Sequence, residues 1–147
     1  RVAPEPQFAP APRPVDIETL KAVLVNRMHV LRDYSSKVTL PVFRREAAVD
    51  ASAREVSPRL LIRRPQLLDD SARARLASLL ERNQALRTVH ECRQQLVAVW
   101  EGAHMSNEAL VRQLREWCSR AEASGIEALQ EFSARLRGYL PTPGYAV

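Results

Sequence analysis

Hydrophobic residues recur along this chain at helical spacing. From position 16 onward they return every three or four residues, which places them on one face of successive α-helices. The first such stripe comprises Ile17, Leu20, Leu24, Leu31, Tyr34 and Val38. Because proline lacks a backbone donor and clashes with the preceding turn, Pro41 should end this helix near Val38 or kink it. Phe43 and Val49 could extend it by an outer turn or two.

A second stripe predicts a pair of long helices in the middle of the chain. Asp69 or Asp70 is suited to cap the first of them, because a carboxylate accepts the free amides of a helix start. The apolar positions are Leu76, Leu79, Leu80, Leu86, Val89, Leu96 and Trp100. Asn83 should divide this stretch into helices over about 71–82 and 85–101, and Gly102 is a natural stop.

Two more helices follow, and they complete the pattern. Ser106 is a candidate cap for the first, and Ser124 with Glu127 has the spacing of a capping box for the second. Their inner faces comprise Leu110, Leu114, Trp117, Cys118 and Ala121, then Ile126, Leu129, Phe132, Leu136 and Leu140. No segment alternates with the period of a strand. The chain is therefore predicted to be all-α, with five to seven helices on one core and the last two forming an antiparallel hairpin.

The length of 147 residues suits one ordinary domain. Residues 1–15 hold five prolines and are predicted to be a disordered linker, since proline fixes the backbone and removes donors. Residues 16–147 should form the helical domain. A sub-boundary is possible near 54–70, where Ser57 and Pro58 open a short helical piece.

Residue types that carry chemistry are scattered. His29, His90 and His104 occur singly, whereas a helical metal site needs ligands three or four residues apart. The Asp69–Asp70 pair is better explained by capping than by catalysis. Two cysteines are too few for a disulfide scaffold and are interpreted as reduced. No apolar run approaches the ~20 residues of a membrane span. We therefore assign no catalytic, cofactor-binding or metal-ligating residue.

Arginine is the distinctive feature. The chain has 22 basic residues against 17 acidic ones, for a formal net charge of +5. The candidate contacts with an anionic surface are Arg44, Arg45, Arg54, Arg59, Arg63 and Arg64. Such a group could meet nucleic-acid phosphates or an anionic membrane leaflet. The plainer interpretation is a solvated helical face with intrahelical ion pairs.

The segments DIETLKAV at 16–23, NRM at 26–28 and HVLRDY at 29–34 resemble the region that follows the catalytic part of bacterial membrane fatty acid desaturases. LRTV at 86–89, LREWC at 114–118 and ASGI at 123–126 also fit that family. The resemblance implies a parent oxidoreductase with membrane spans, a di-iron centre and histidine boxes. None of these is present here, so it implies a non-catalytic accessory domain without its own cofactor. This domain would lie at the cytoplasmic inner face of the bacterial inner membrane, and would dock to the catalytic part, the membrane surface or an electron-donor protein.

The second half of the chain is also similar to the C-terminal helical region of insertion-sequence transposases of the DDE type. There, a leucine pattern, a tryptophan and a Ser-Gly-Ile junction recur in the same order as here. This alternative implies a helical region that contacts DNA, with the acidic metal-binding triad largely upstream. A second alternative is a stand-alone helical interaction module. Residues 16–45 favour the desaturase.

Overall fold

Helices make up every regular element in residues 27–101, 106–138 and 140, the part of the chain that the computed structural model describes. The elements in chain order are α1 (Arg27–Tyr34), a π-helical segment (Ser35–Thr39), α2 (Leu40–Val49), α3 (Ala51–Arg54), α4 (Arg59–Ile62), a 3-10 turn (Pro65–Leu67), α5 (Asp70–Arg82), α6 (Gln84–Glu101), α7 (Asn107–Glu122) and α8 (Glu127–Arg137). With the run from α1 to α2 counted as one helix, the described residues hold seven helices. The prediction of an all-α fold is confirmed.

The predicted linker 1–15, the stripe positions Ile17, Leu20 and Leu24, and Gly102 lie outside the described residues, so those predictions stand as they were made. At the possible sub-boundary, Val56, Leu61 and Leu68 are buried in the same hydrophobic cluster as the long helices.

Pro41 does not end the first helix. The backbone stays right-handed helical through Tyr34, Thr39 and Leu40, and the Leu40 amide donates to the carbonyl of Ser35, five residues back. A wider π turn directly before the proline suits a residue that has no amide to donate and a ring that crowds the tighter α turn. The helix therefore continues to Val49. Phe43 is buried on it as expected, but Val49 is 83% exposed.

Three aromatic rings form the centre of the core. Tyr34 of α1, Trp117 of α7 and Phe132 of α8 are fully buried and meet edge to face, with ring centroids 5.1 to 6.3 Å apart. The Tyr34 hydroxyl donates to the Val89 carbonyl at 2.6 Å, and Trp117 Nε1 donates to the Cys92 carbonyl at 2.8 Å. Both acceptors belong to α6. The aromatic cluster thus joins four helices and leaves neither polar tip unsatisfied.

The predicted break at Asn83 is confirmed, and Asn83 also makes long-range contacts. Its side chain is buried, and Oδ1 accepts the Leu86 amide at 2.9 Å, which caps α6. Its Nδ2 donates to Glu46 Oε1 and to Asp50 Oδ2, both at 2.9 Å. One side chain therefore separates α5 from α6 and fixes both to the end of α2.

The predicted helix caps are mostly confirmed. Asp69 accepts the Ala72 amide at 2.7 Å and caps α5, and Ser106 accepts the Ala109 amide at 3.1 Å and caps α7. The capping box of Ser124 and Glu127 is wrong. Ser124 Oγ accepts the Ile126 amide at 3.1 Å inside the connecting turn, and α8 begins one residue later. Gly125 supplies the positive φ of 77° that this turn requires.

Helices α7 and α8 form the predicted hairpin, with a polar clamp on its surface. The Arg137 guanidinium donates to both carboxylate oxygens of Glu122 and, at 3.1 Å, to Ser119 Oγ. Ser133 Oγ lies 3.1 Å from Glu122 Oε2 and 3.2 Å from the Cys118 carbonyl. The Arg137 hydrogen bonds, opposed by partial burial, hold the pKa of Glu122 below its ordinary value of 4.5. The clamp therefore stabilises the hairpin only while Glu122 is ionised.

Replacing Arg137 by alanine should lower the free energy of unfolding modestly at neutral pH and hardly at all in acid. Because the folded pKa of Glu122 is lowered, the unfolded state binds more protons below pH 4.5, so the contribution of the pair is lost as pH falls through the folded pKa. The side chains of Arg137 and Glu122 are 37% and 40% exposed, so solvent screening limits the effect to about 0.5–1 kcal/mol.

Urea unfolding of the wild type and of Arg137→Ala at pH 7 and pH 3 measures this difference. Arg75→Ala is the matched control, because Arg75 is exposed and forms no ion pair within the described residues. A cost of Arg137→Ala that is equal at both pH values would contradict the role of the ionised clamp.

Candidate functional site

The six arginines singled out from the sequence are all exposed. Arg44 and Arg45 lie in the middle of α2, whose opposite face buries Val42 and Phe43 in the core. Arg54 lies on α3, and Arg59 begins α4. Arg63 and Arg64 follow α4 directly. The six therefore occupy one connected segment, residues 44–64, which we call the arginine segment.

Carboxylates do not neutralise the arginine segment. It contains three acidic residues, Glu46, Asp50 and Glu55, against the six arginines. Glu46 and Asp50 accept hydrogen bonds from Asn83, and Asp50 also accepts the Ser52 hydroxyl at 2.6 Å. The hydrogen bonds from Ser52 and then Asn83 hold the pKa of Asp50 below its ordinary value. Within the described residues, none of the six guanidinium groups forms an ion pair with a carboxylate.

Two of the six arginines differ from the rest. Arg54 Nη1 donates to the Ala47 carbonyl at 2.6 Å, so part of its guanidinium fastens α3 to α2. Arg64 lines a cavity of about 470 Å³ between α1, the end of α4 and α6. Arg32 and Arg93 line the same cavity, which also has apolar walls. The structure thus places Arg64 with two arginines that the sequence analysis did not select.

Arg93 is the member of that cavity with the most unusual surroundings. Its side chain is 9% exposed, and its Nε has no hydrogen-bond partner. Burial lowers the pKa of the Arg93 guanidinium, an effect that the neighbouring Tyr34 opposes. Gln94 beside it also has a buried, unpartnered Nε2. A buried arginine that only stabilises the fold normally pairs with an anion. Arg93 has no such pair within the described residues.

The sequence did carry a signal for Arg93. Leu86, Val89 and Leu96 follow the inner face of α6, and Arg93 falls four residues after Val89 and three before Leu96. It therefore interrupts the apolar stripe at a core position. A charge at such a position identifies a residue for which burial needs an explanation.

The structure gives the other chemistry-bearing residues structural roles. His90 is half-buried. Burial and the charge of Arg93 lower the pKa of its imidazole, and the smaller opposing effects come from the charge of Glu91 and a hydrogen bond with the Leu61 backbone. Cys92 and Cys118 are buried free cysteines whose thiol pKa values burial raises. His104 lies outside the described residues. In the part of the chain that the structure describes, no three His, Cys, Asp or Glu side chains are grouped closely enough to hold a metal.

The model of a transposase family, the DDE type of the ISL3 group, matches residues 21–141. The chain belongs to this transposase family. It is also 42% identical over 82 residues to the transposase for insertion sequence element IS1001 of Bordetella parapertussis. That match covers 55% of the chain and 20% of the relative, so the chain corresponds to about a fifth of this curated transposase. No solved structure matches the chain at a significant level.

This family membership corrects the main prediction. The assignment to a fatty acid desaturase in lipid metabolism is wrong, and so is the location at the inner face of a membrane as part of that enzyme. The catalytic membrane domain, the membrane surface and the electron donor find no support as partners. None of the described helices is long and apolar enough to cross a bilayer. The transposase alternative is the one that the comparisons support.

The physical reason for the error is that the features which carried the resemblance are common to many helical proteins. A leucine stripe with a tryptophan and a Ser-Gly turn satisfies helix packing and termination in any family. The di-iron centre was expected only in the desaturase parent, so its basis disappears with that assignment. That this chain binds no cofactor of its own remains a prediction, as does the role of the arginine segment.

Proposed function

We propose that this part of the transposase is a helical module that contacts DNA through the phosphates, using the arginine segment. The observation that carries the proposal is the set of exposed guanidinium groups at 44–64 that no described carboxylate neutralises. Membership of the transposase family supplies the polyanion, since transposases act on DNA. Arginine suits this role because its planar fork donates two parallel hydrogen bonds to one phosphate.

The contact should be with the backbone rather than with base edges. Arg44 and Arg45 lie toward the end of the helix that continues from α1 into α2, and the other four arginines lie on or beside the four-residue helices α3 and α4. The segment has no aromatic side chain for stacking. Phosphate contacts position a protein on the duplex without reading its sequence. The proposal therefore assigns orientation and affinity to this module. It assigns no cleavage chemistry, because the described residues lack the acidic cluster that would hold a metal.

Neutralising the arginine segment should weaken DNA binding and reduce its dependence on salt. The test variant replaces four of its arginines by glutamine: Arg44, Arg45, Arg59 and Arg63. Arg54 is kept because it fastens α3 to α2, and Arg64 because it lines the cavity. At 100 mM salt we expect duplex affinity to fall about tenfold or more. Each lost phosphate contact should reduce the slope of log K against log salt by about 0.9.

Fluorescence anisotropy with a labelled duplex over a salt series measures both quantities. The matched control removes the same charge from exposed arginines elsewhere: Arg75, Arg82, Arg112 and Arg120. The control should lose about threefold at most, through the general field of the protein. Equal losses of affinity in both variants would show that binding depends on net charge alone and not on the arginine segment. A wild-type chain that does not bind duplex at low salt would refute the proposal.

A further inference from the structure

The cavity between α1, α4 and α6 has the features of an anion site. Three arginines line it, and one of them, Arg93, is only 9% exposed, with its Nε buried. Arg32 and Arg64, by contrast, are exposed. The cavity therefore has one cationic group held inside the protein and two at the solvent-facing side.

The buried groups of this cavity are left unsatisfied. Arg93 Nε and Gln94 Nε2 are both buried and have no hydrogen-bond partner. Both are donors, so the group that would satisfy them must be an acceptor. An unpaired charge inside a protein is costly, and a buried arginine is normally matched by a carboxylate. Within the described residues Arg93 has no such match.

We propose that this cavity binds a phosphate group of nucleic acid, with Arg93 and Gln94 donating from within and Arg32 and Arg64 from the solvent side. This inference rests on the proposed function and names a specific site for it. Three guanidinium groups suit a phosphate, which offers several anionic oxygens to parallel donors. The apolar walls of Leu31, Ile62 and Val97 leave room for the sugar that carries the phosphate.

One carboxylate lies in the same lining. Glu101, the last residue of α6, is exposed and contributes to the cavity wall. Its charge opposes an incoming anion. Removing that charge should therefore strengthen binding, whereas removing the charge of Arg93 should weaken it by at least tenfold. A general effect of net charge would have the same signs, so the matched controls make the same charge changes at exposed residues outside the cavity, Arg112→Gln and Glu108→Gln, and should alter affinity much less.

The first experiment titrates the whole chain with inorganic phosphate and follows the Arg93 Nε–H resonance by NMR. We expect a saturable shift of that resonance. Affinity should be at least tenfold weaker in Arg93→Gln, severalfold weaker in Arg64→Gln and severalfold tighter in Glu101→Gln. Arg93→Gln removes an unpaired buried charge, so its Tm in phosphate-free buffer should equal or exceed that of the wild type. Arg64 is exposed, so its variant tests the site even if Arg93→Gln fails to fold.

A second arm identifies the source of the phosphate. Single-stranded oligonucleotides with a 5′-phosphate and with a 5′-hydroxyl are compared on the wild type and on Arg64→Gln. Preference for the 5′-phosphate would assign the cavity to a strand end, and equal, Arg64-dependent affinity would assign it to the backbone. Both results support the proposal.

Other results separate this inference from the proposed function. No shift of the Arg93 resonance with phosphate overturns the site, whatever the duplex measurements show. A cavity that binds inorganic phosphate but whose variants bind DNA like the wild type overturns the assignment to nucleic acid. If only the four-arginine variant loses DNA affinity, the proposed function stands and the present inference falls.

Discussion

Replacing Trp117 by alanine should lower the free energy of unfolding by about 3–5 kcal/mol, the cost of truncating a fully buried large aromatic side chain. Trp117 has 0% exposure and contacts both Tyr34 and Phe132 edge to face. Its loss would leave a cavity where α1, α6, α7 and α8 meet. It would also leave the Cys92 carbonyl without the indole donor that now lies 2.8 Å away. This is a large share of the about 5–15 kcal/mol that stabilises an ordinary domain, so the variant should unfold at a much lower temperature than the wild type.

Urea unfolding followed by circular dichroism measures the effect without depending on tryptophan fluorescence. Trp117→Phe should cost clearly less than Trp117→Ala, because it keeps an aromatic ring in the core and loses mainly the indole hydrogen bond. Val49→Ala is the matched control on the surface: Val49 is 83% exposed, so its truncation should stay within about 0.5 kcal/mol of the wild type. A cost below about 1 kcal/mol for Trp117→Ala would show that the aromatic cluster does not anchor the core.

The second large effect is expected at Asn83, a polar residue. Asn83→Ala removes the cap of α6 and both donors to the end of α2, and should cost about 2–3 kcal/mol. It leaves Glu46 and Asp50 without the Asn83 amide, whose Nδ2 lies 2.9 Å from one oxygen of each carboxylate. Because the side chain is only 5% exposed, water cannot freely replace those bonds.

Two companion variants test this explanation of Asn83. Ser106→Ala removes an exposed cap with one bond to the Ala109 amide, and should cost only about 0.5–1 kcal/mol. Asn83→Asp keeps an acceptor for the Leu86 amide but sets a third carboxylate beside Glu46 and Asp50. It should therefore be destabilising at neutral pH and recover as the cluster protonates in acid. Equal costs for Asn83→Ala and Ser106→Ala would mean that Asn83 acts as a cap alone.

Local rules were sufficient to predict the helices. Helical periodicity and capping depend on residues within a few positions of each other, so the stripe from Leu76 to Leu96 and the break at Asn83 could be predicted from the sequence. The acceptors of Asn83 could not, since they lie 37 and 33 residues upstream. The continuation past Pro41 was left open as one of two alternatives, and the π turn that accompanies it was missed because such a turn has no established sequence signature.

Only the part of the candidate site that depends on amino-acid composition could be predicted from the sequence. Exposed arginines can be selected by their number, and all six selected residues are indeed at the surface. The cavity depends on α1, α4 and α6 coming together, which no local pattern encodes. Arg93 was overlooked because it was counted as one charge among many, whereas its place on the apolar stripe was the informative fact. The family assignment failed for a related reason, since features shared by many helix bundles were given the weight of a signature.

The π segment also sets which residues of α2 face the solvent. It holds the equivalent of one residue more than the α-helix would need to join α1 to α2 in their present orientation. If that turn tightened to α geometry, everything after it would rotate by about 100° about the helix axis, the angle of one residue. Phe43 would then point where Arg44 now meets solvent, and Arg45 would take the place of Glu46 beside Asn83. The two arginines of the segment that lie on α2, Arg44 and Arg45, therefore face outward because of a single wider turn before a proline.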